Sequence, residues 1–267
     1  MAALPVKKQK TDNVIELRVV NGSVEKKPNV RYTKDGSVDK RYGNSVSVAG
    51  VSKEVYAFTT KEELDVMVGV FDKHIEEAPD QNKKQIARRN KMLFLIGSNV
   101  GLRASDLCSL TYGFFMNDDG TFKNTDKEPL KLQPKKTKKT KKFVPVHFNN
   151  TVKSAIENYI KYYPIQNMDE YLFKSRKGDN HISEKTLWDI INKTAIEAGI
   201  EQNIGSHSLR KTFGYWAWHN AKDKNEMLIN LQKIFNHSSP QTTMIYIGLL
   251  NTEIKNVFDS LDSVFDY

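Results

Sequence analysis

From Phe58 onward, apolar residues return every three or four positions through segment after segment. This periodicity constrains the fold more than any other feature, because it calls for amphipathic helices packed on a shared core. Thr60-Lys-Glu-Glu63 reads as a capping box ahead of Leu64, Val68, Phe71 and Ile75. A second helix is expected from about Lys84 to Ser98, with Gly101 as its stop and a short helix starting near Arg103. Further helices are read over about Thr151 to Tyr162, from Ser183 to a stop at Gly199, from Ser208 to Asn220, from Asn225 to Phe235, and from Ser239 with Pro240 in the first turn. Ile254, Val257, Phe258, Leu261 and Phe265 form a last stripe at helical spacing.

Between the third and fourth of these helices the pattern changes. Tyr112 to Met116, Leu130 to Gln133 and Phe143 to Val146 read as strands, with a turn at Asp118-Asp-Gly120. The last two make a hairpin whose tip runs from Pro134 to Lys142. The expected fold class is therefore mainly α with a small antiparallel β-sheet (α+β), occupying residues 58–267. Residues 1–57 are polar and basic, with turn signals at Asn21-Gly22 and Asp35-Gly36, and support only a poorly structured arm or a small β hairpin.

The formal net charge of +9 comes from clustered lysines and arginines and points to a polyanionic partner, with DNA, RNA and acidic membranes all open on charge alone. The single cysteine, Cys108, lies in an apolar helical pattern, so an internal disulfide framework is excluded and a cytoplasmic location is expected. The longest apolar run, Met92 to Ile96, is far too short to span a bilayer.

Two stretches carry chemistry. One is His207-Ser-Leu-Arg210-Lys211, followed by Asn236-His237-Ser-Ser-Pro-Gln-Thr-Thr-Met-Ile-Tyr246; the other is Gly101-Leu-Arg103-Ala-Ser-Asp106-Leu. Taken singly, each arginine suits a structural ion pair and each histidine a core position. Together they suit phosphodiester chemistry, because arginine presents a planar fork of donors to phosphate oxygens. A tyrosine hydroxyl, with a pKa near ~10, needs a base and strong charge stabilisation before it can attack.

These motifs, with the lysine-rich stretch from Lys135 to Lys142, resemble the catalytic domain of the tyrosine recombinases, the phage-integrase family, over about residues 58 to 267. The resemblance implies a site-specific recombinase or integrase that cleaves duplex DNA through a 3′-phosphotyrosine at Tyr246. Arg103 and Arg210 would bind the phosphate, His207 would help remove the tyrosine proton, and His237 would hydrogen-bond the scissile phosphate. A hairpin lysine would protonate the leaving 5′ oxygen; Lys136-Thr137 ahead of Val144-Pro145 fits best, with the register open from Lys135 to Lys139. Asp106 matches the acidic residue that follows the first arginine and is expected to orient Arg103. Lys135, Lys138, Lys139, Lys141 and Lys211 are the expected contacts to backbone phosphates.

Neither cofactor nor metal is expected, since the sequence has no Walker-type loop, no Cys/His cluster at zinc spacing and no carboxylate cluster of a two-metal nuclease. The implied partners are double-stranded DNA and further copies of the chain, in a cyclic tetramer on DNA. Alternatives with the same motifs are a type IB topoisomerase-like nicking-closing enzyme and a non-catalytic DNA-binding protein. Two departures stand out. Asn236 occupies a position where the family usually has glycine, and residues 1–57 are too short and polar for the helical core-binding domain that most members carry upstream.

Overall fold

The computed structural model describes residues 54–135, 143–176 and 178–249, together with the backbone of two short strands near the N-terminus. Lys136, Lys138, Lys139, Lys141 and the apolar stripe from Ile254 to Phe265 lie outside the described residues. The chain divides into two compact units, Met1–Lys53 and Glu54–Tyr267. In the first, β1 (Leu17–Val20) pairs antiparallel with β2 (Ser23–Lys26), Val20 opposite Ser23.

The second unit runs α1 (Lys61–Glu76), α2 (Gln81–Val100), α3 (Ala104–Cys108), α4 (Tyr112–Phe115), β3 (Leu130–Leu132), β4 (Val144–Val146), α5 (Asn150–Ile160), α6 (Glu184–Glu197), α7 (Ser206–Asn220), α8 (Lys224–Phe235) and α9 (Pro240–Tyr246). β3 and β4 form the expected antiparallel hairpin, Leu130 opposite Val146. Helix starts follow the capping residues. Thr60 and Glu63 form the capping box of α1, Ser183 accepts from the Thr186 N–H at 3.1 Å, and Ser239 accepts from the Thr242 N–H at 3.1 Å with Pro240 in the first turn. α2 stops at Gly101, whose φ of 62° only glycine adopts freely, and the Phe213 ring packs where a Cβ would stand.

One element differs from expectation. Tyr112 to Met116 is not a strand; its first four residues form α4. Aromatic residues favour strands on propensity alone, but Tyr112 and Phe115 bury the same side at helical spacing. The Tyr112 and Gly113 N–H groups also bond to the carbonyls of Glu170 and Met168, at 3.1 and 2.7 Å, outside any sheet ladder.

The buried apolar residues form two clusters. The larger is centred on Leu93, Phe94 and Ile96 of α2 and takes Met67 and Phe71 from α1, Val152 and Ile156 from α5, Leu187 and Ile191 from α6, and Leu209 from α7. Cys108 sits inside it, its thiol pushed up to about 12 by burial, as suits a core residue and not a nucleophile. The smaller cluster holds Leu228, Leu231 and Phe235 of α8 with Ile247 and Leu249, packed against Phe213 and Trp218 of α7. A Cβ on Gly214 would lie 2.6 Å from Ile247 and 2.9 Å from the Phe235 ring, so this glycine lets the small cluster close onto α7. Among the described residues no helix is long and apolar enough to cross a membrane.

Candidate active site

The site is organised by the C-terminal end of α8. The last carbonyls of a helix have no intrahelical donor and sit at the negative end of its dipole, so they collect cations. The Phe235 carbonyl accepts from Arg210 Nη2 at 3.1 Å and is approached by Arg103 Nη2 at 3.5 Å. Arg210 Nη1 also donates to the Gly101 carbonyl, and its guanidinium lies 4.3 Å from the centre of the Phe235 ring. Arg210 is buried, and burial pushes its pKa down to about 10, opposed by Tyr246 and Asp106; it stays charged at neutral pH.

Past Phe235 the chain turns at Asn236, which adopts φ 54° and ψ 48°, the left-handed region that asparagine tolerates better than most residues. The His237 N–H then returns to the Gln232 carbonyl at 3.0 Å, and its Nδ1 lies 3.0 Å from Thr243 Oγ1 on α9. Burial lowers the pKa of His237, and the charges of Arg210 and Arg103 lower it further, so the ring is neutral at pH 7.

Tyr246 is the last residue of α9. Its ring stands edge-to-face with His237 at 5.1 Å and with Phe235 at 5.5 Å. Burial raises the phenol pKa; the positive charges of Arg210 and Arg103 oppose that rise. A guanidinium has only donors, so toward Arg210 the phenol oxygen can only accept, which leaves its proton available to a base.

The structure thus gathers Arg103, Arg210, His237 and Tyr246 around one helix end. His207 is exposed in the first turn of α7, three residues before Arg210. Asp106 is buried, but among the described residues it makes no ion pair with Arg103. Its Oδ1 accepts the Lys135 N–H at 2.9 Å, fixing where the β3–β4 connection leaves the sheet. The exposed Lys135 side chain reaches His181, Nζ to Nε2 3.0 Å. Lys211, expected as a phosphate contact, is instead buried and paired with Glu54, Nζ to Oε1 2.8 Å, because its position on α7 turns it toward residues 54–58 and away from solvent.

Some participants escaped the sequence reading. Thr243, fully buried against His237, was visible only as half of the threonine pair in the motif. The Gly101 and Phe235 carbonyls carry no side-chain signal at all.

Residues 59–253 match the sequence model of the phage integrase family, and the chain belongs to that family, the tyrosine recombinases. It is 36% identical over 162 residues to the probable integrase/recombinase YoeC of Bacillus subtilis (strain 168), covering 61% of this chain and 78% of that protein. With the tyrosine recombinase XerC of Thermodesulfovibrio yellowstonii it shares 28% identity over 190 residues, covering 68% of this chain but only 57% of the relative. Among solved structures, the XerH site-specific recombinase bound to palindromic difH substrate in a post-cleavage complex superposes with a TM-score of 0.51 at 22% identity, over 73% of this chain and 50% of that one. That likeness concerns the fold, mainly helical with a small antiparallel sheet, as the sequence leads one to expect.

Proposed function

We propose that this chain is a site-specific DNA recombinase or integrase in which the Tyr246 hydroxyl attacks a phosphodiester of duplex DNA. The 3′ phosphate is transferred to the tyrosine and a 5′ hydroxyl leaves; reversal by a 5′ hydroxyl of another strand completes exchange. The observation that carries this reading is the Tyr246 ring packed on His237 within the field of Arg210 and Arg103, two guanidiniums gathered at the one Phe235 carbonyl.

Each residue has a role that its environment supports. Arg210 and Arg103 are anchored on carbonyls, so their remaining donors are oriented before substrate arrives, the condition under which charge stabilisation is most effective. Thr243 can donate its hydroxyl proton to His237 Nδ1, which leaves Nε2–H to donate to a phosphate oxygen. His207 is the base for the tyrosine proton and Lys136 the acid for the leaving oxygen, roles taken from the family resemblance. Because a phosphotyrosyl bond replaces a phosphodiester of similar energy, rejoining requires neither ATP nor a metal. The partners are duplex DNA, contacted by the lysines around the hairpin tip, and further copies of the chain in a cyclic tetramer; residues 1–57 serve as a basic arm to the catalytic domain, residues 58–267.

Denaturing electrophoresis of labelled nicked duplexes, drawn from DNA flanking the coding sequence, tests this reading. Wild type forms a protein-linked band without metal or ATP, and Tyr246→Phe forms none while binding the duplex within about twofold of wild type, since it loses one oxygen and almost no volume. A band that persists in Tyr246→Phe overturns the assignment of the nucleophile. Duplex binding with no band in wild type favours the non-catalytic alternative.

A further inference from the structure

We propose that Lys211 is a positioning residue for Tyr246, clamped by Glu54 so that its ammonium closes the face of the tyrosine ring; this rests on the reading of Tyr246 as the nucleophile. Neighbouring residues on a helix point about 100° apart, so while Arg210 faces the end of α8, Lys211 faces residues 54–58. Its side chain is only 8% exposed, its Nζ lies 2.8 Å from Glu54 Oε1, and the same ammonium stands 5.4 Å from the centre of the Tyr246 ring. Burying an ammonium is costly unless it is paired, and an ammonium over an aromatic face is attracted to it.

Glu54 is itself held in place. The Asn203 side chain donates to the Glu54 carbonyl at 2.8 Å, and the Tyr56 N–H donates to the Asn203 carbonyl at 2.9 Å. The Phe58 N–H donates to Thr212 Oγ1 at 2.9 Å, and Trp216 Nε1 donates to the Phe58 carbonyl at 2.9 Å. Residues 54–58 are thus stitched along the same helix that carries Arg210, which fixes the carboxylate relative to the site. The Tyr246 ring is bounded by His237 and Phe235 at its edges and by Lys211 over its face. The ion pair itself lines one side of a cleft of about 280 Å³, with Tyr56, Tyr215 and Ile245 around it. Without the ammonium the ring has room to swing toward that cleft, and its hydroxyl leaves the line of attack.

The test uses the full chain. Lys211→Met keeps the stem and removes the charge; it slows single-turnover covalent adduct formation at saturating DNA by about 10- to 100-fold, the scale of a misplaced reacting group. Duplex affinity and its salt dependence stay as in wild type, because no phosphate contact is lost. Lys211→Arg restores the rate. Glu54→Gln, at a nearly half-exposed carboxylate and therefore harmless to the fold, slows the reaction in the same direction and adds nothing on top of Lys211→Met. Weakened, less salt-sensitive binding with an unchanged rate on bound DNA would make Lys211 a phosphate contact and overturn the proposal, as would independent, multiplying effects of the two variants. A readout free of turnover separates this from failure of the proposed function: a fluorine ortho to the Tyr246 hydroxyl gives an NMR resonance that moves in Lys211→Met and in Glu54→Gln but not in Lys211→Arg. A resonance indifferent to all three overturns the proposal, whether or not wild type cleaves DNA.

Discussion

The two apolar clusters of the second unit differ in size and in what they hold. The large one draws on helices α1, α2, α5, α6 and α7 and includes Leu102 and Ala104, the residues on either side of Arg103. The small one rests on Leu228, Leu231, Phe235, Ile247 and Leu249, yet it carries His237 and Tyr246 at its edge. The arginines join the two: Arg210 bridges the Gly101 carbonyl, at the edge of the large cluster, and the Phe235 carbonyl, in the small one. The arginine half of the proposed site therefore stands on a core with many redundant contacts, while the proposed nucleophile stands on few. Local opening begins where buried apolar contacts are fewest. The geometry of the site is accordingly more fragile than the fold.

The largest effect follows from cutting the joint. Arg210→Ala removes both carbonyl contacts and the guanidinium beside Tyr246, so adduct formation falls by at least about 10²–10³-fold, the cost of losing one oriented donor to developing charge. Arg210→Lys keeps the charge but has no planar fork to span two carbonyls, so it recovers only a small part. Hydrogen exchange then shows α8 and α9 losing protection while α2 keeps it. A slow enzyme with unchanged exchange in α8 would mean that Arg210 acts on substrate alone and does not hold the clusters together.

A matched pair of truncations comes next. Phe94→Ala in the large cluster and Phe235→Ala in the small one each remove a buried ring, worth about 3–5 kcal/mol. Phe94→Ala lowers the midpoint of global unfolding. Phe235→Ala leaves α1, α2 and α5 protected in hydrogen exchange, exposes α8 and α9, and abolishes adduct formation. If both variants lower the same single transition and deprotect the same amides, the unit unfolds as one and the contrast between the clusters fails.

What the sequence revealed divides along the range over which each signal acts. The helices of the large cluster were legible because capping residues and apolar spacing are local, and Thr60, Ser183 and Ser239 cap as read. The segment from Asn236 to Tyr246 stood out by its resemblance to the family motif, and Asn236, where the family usually has glycine, takes a positive φ that both residues tolerate. The misreadings are partner choices made at long range. Tyr112 to Phe115 became helical because the segment at 168–170 takes its N–H groups. Asp106 looked toward Arg103, one turn away, but bonds to a backbone N–H 29 residues on. Lys211 was expected on backbone phosphates, but its partner is a carboxylate 157 residues upstream, which no local pattern shows. Charge runs identify a basic surface, but they do not say which lysine has been taken into the interior.

The smallest effect is a pH dependence confined to the small cluster. The folded pKa of His237 lies below its ordinary value of 6.5, chiefly through burial and then through Arg210 and Arg103. Where the unfolded chain binds the proton more tightly than the folded one, stability rises with pH. The contribution is fully present above about 6.5 and is lost as pH falls below that value toward the folded pKa, where the imidazolium must face two arginines. His237 is partly exposed, so solvent screening keeps the effect modest. Exchange of α8 and α9 amides between pH 7 and pH 5, corrected for intrinsic rates, reads it directly: opening becomes easier in wild type, and the change shrinks in His237→Gln, which does not titrate. Amides of α2 show no difference between the two proteins. An equal loss of protection in His237→Gln would assign the pH response to carboxylates elsewhere and remove the histidine from the account of why the nucleophile's half of the site is the weaker one.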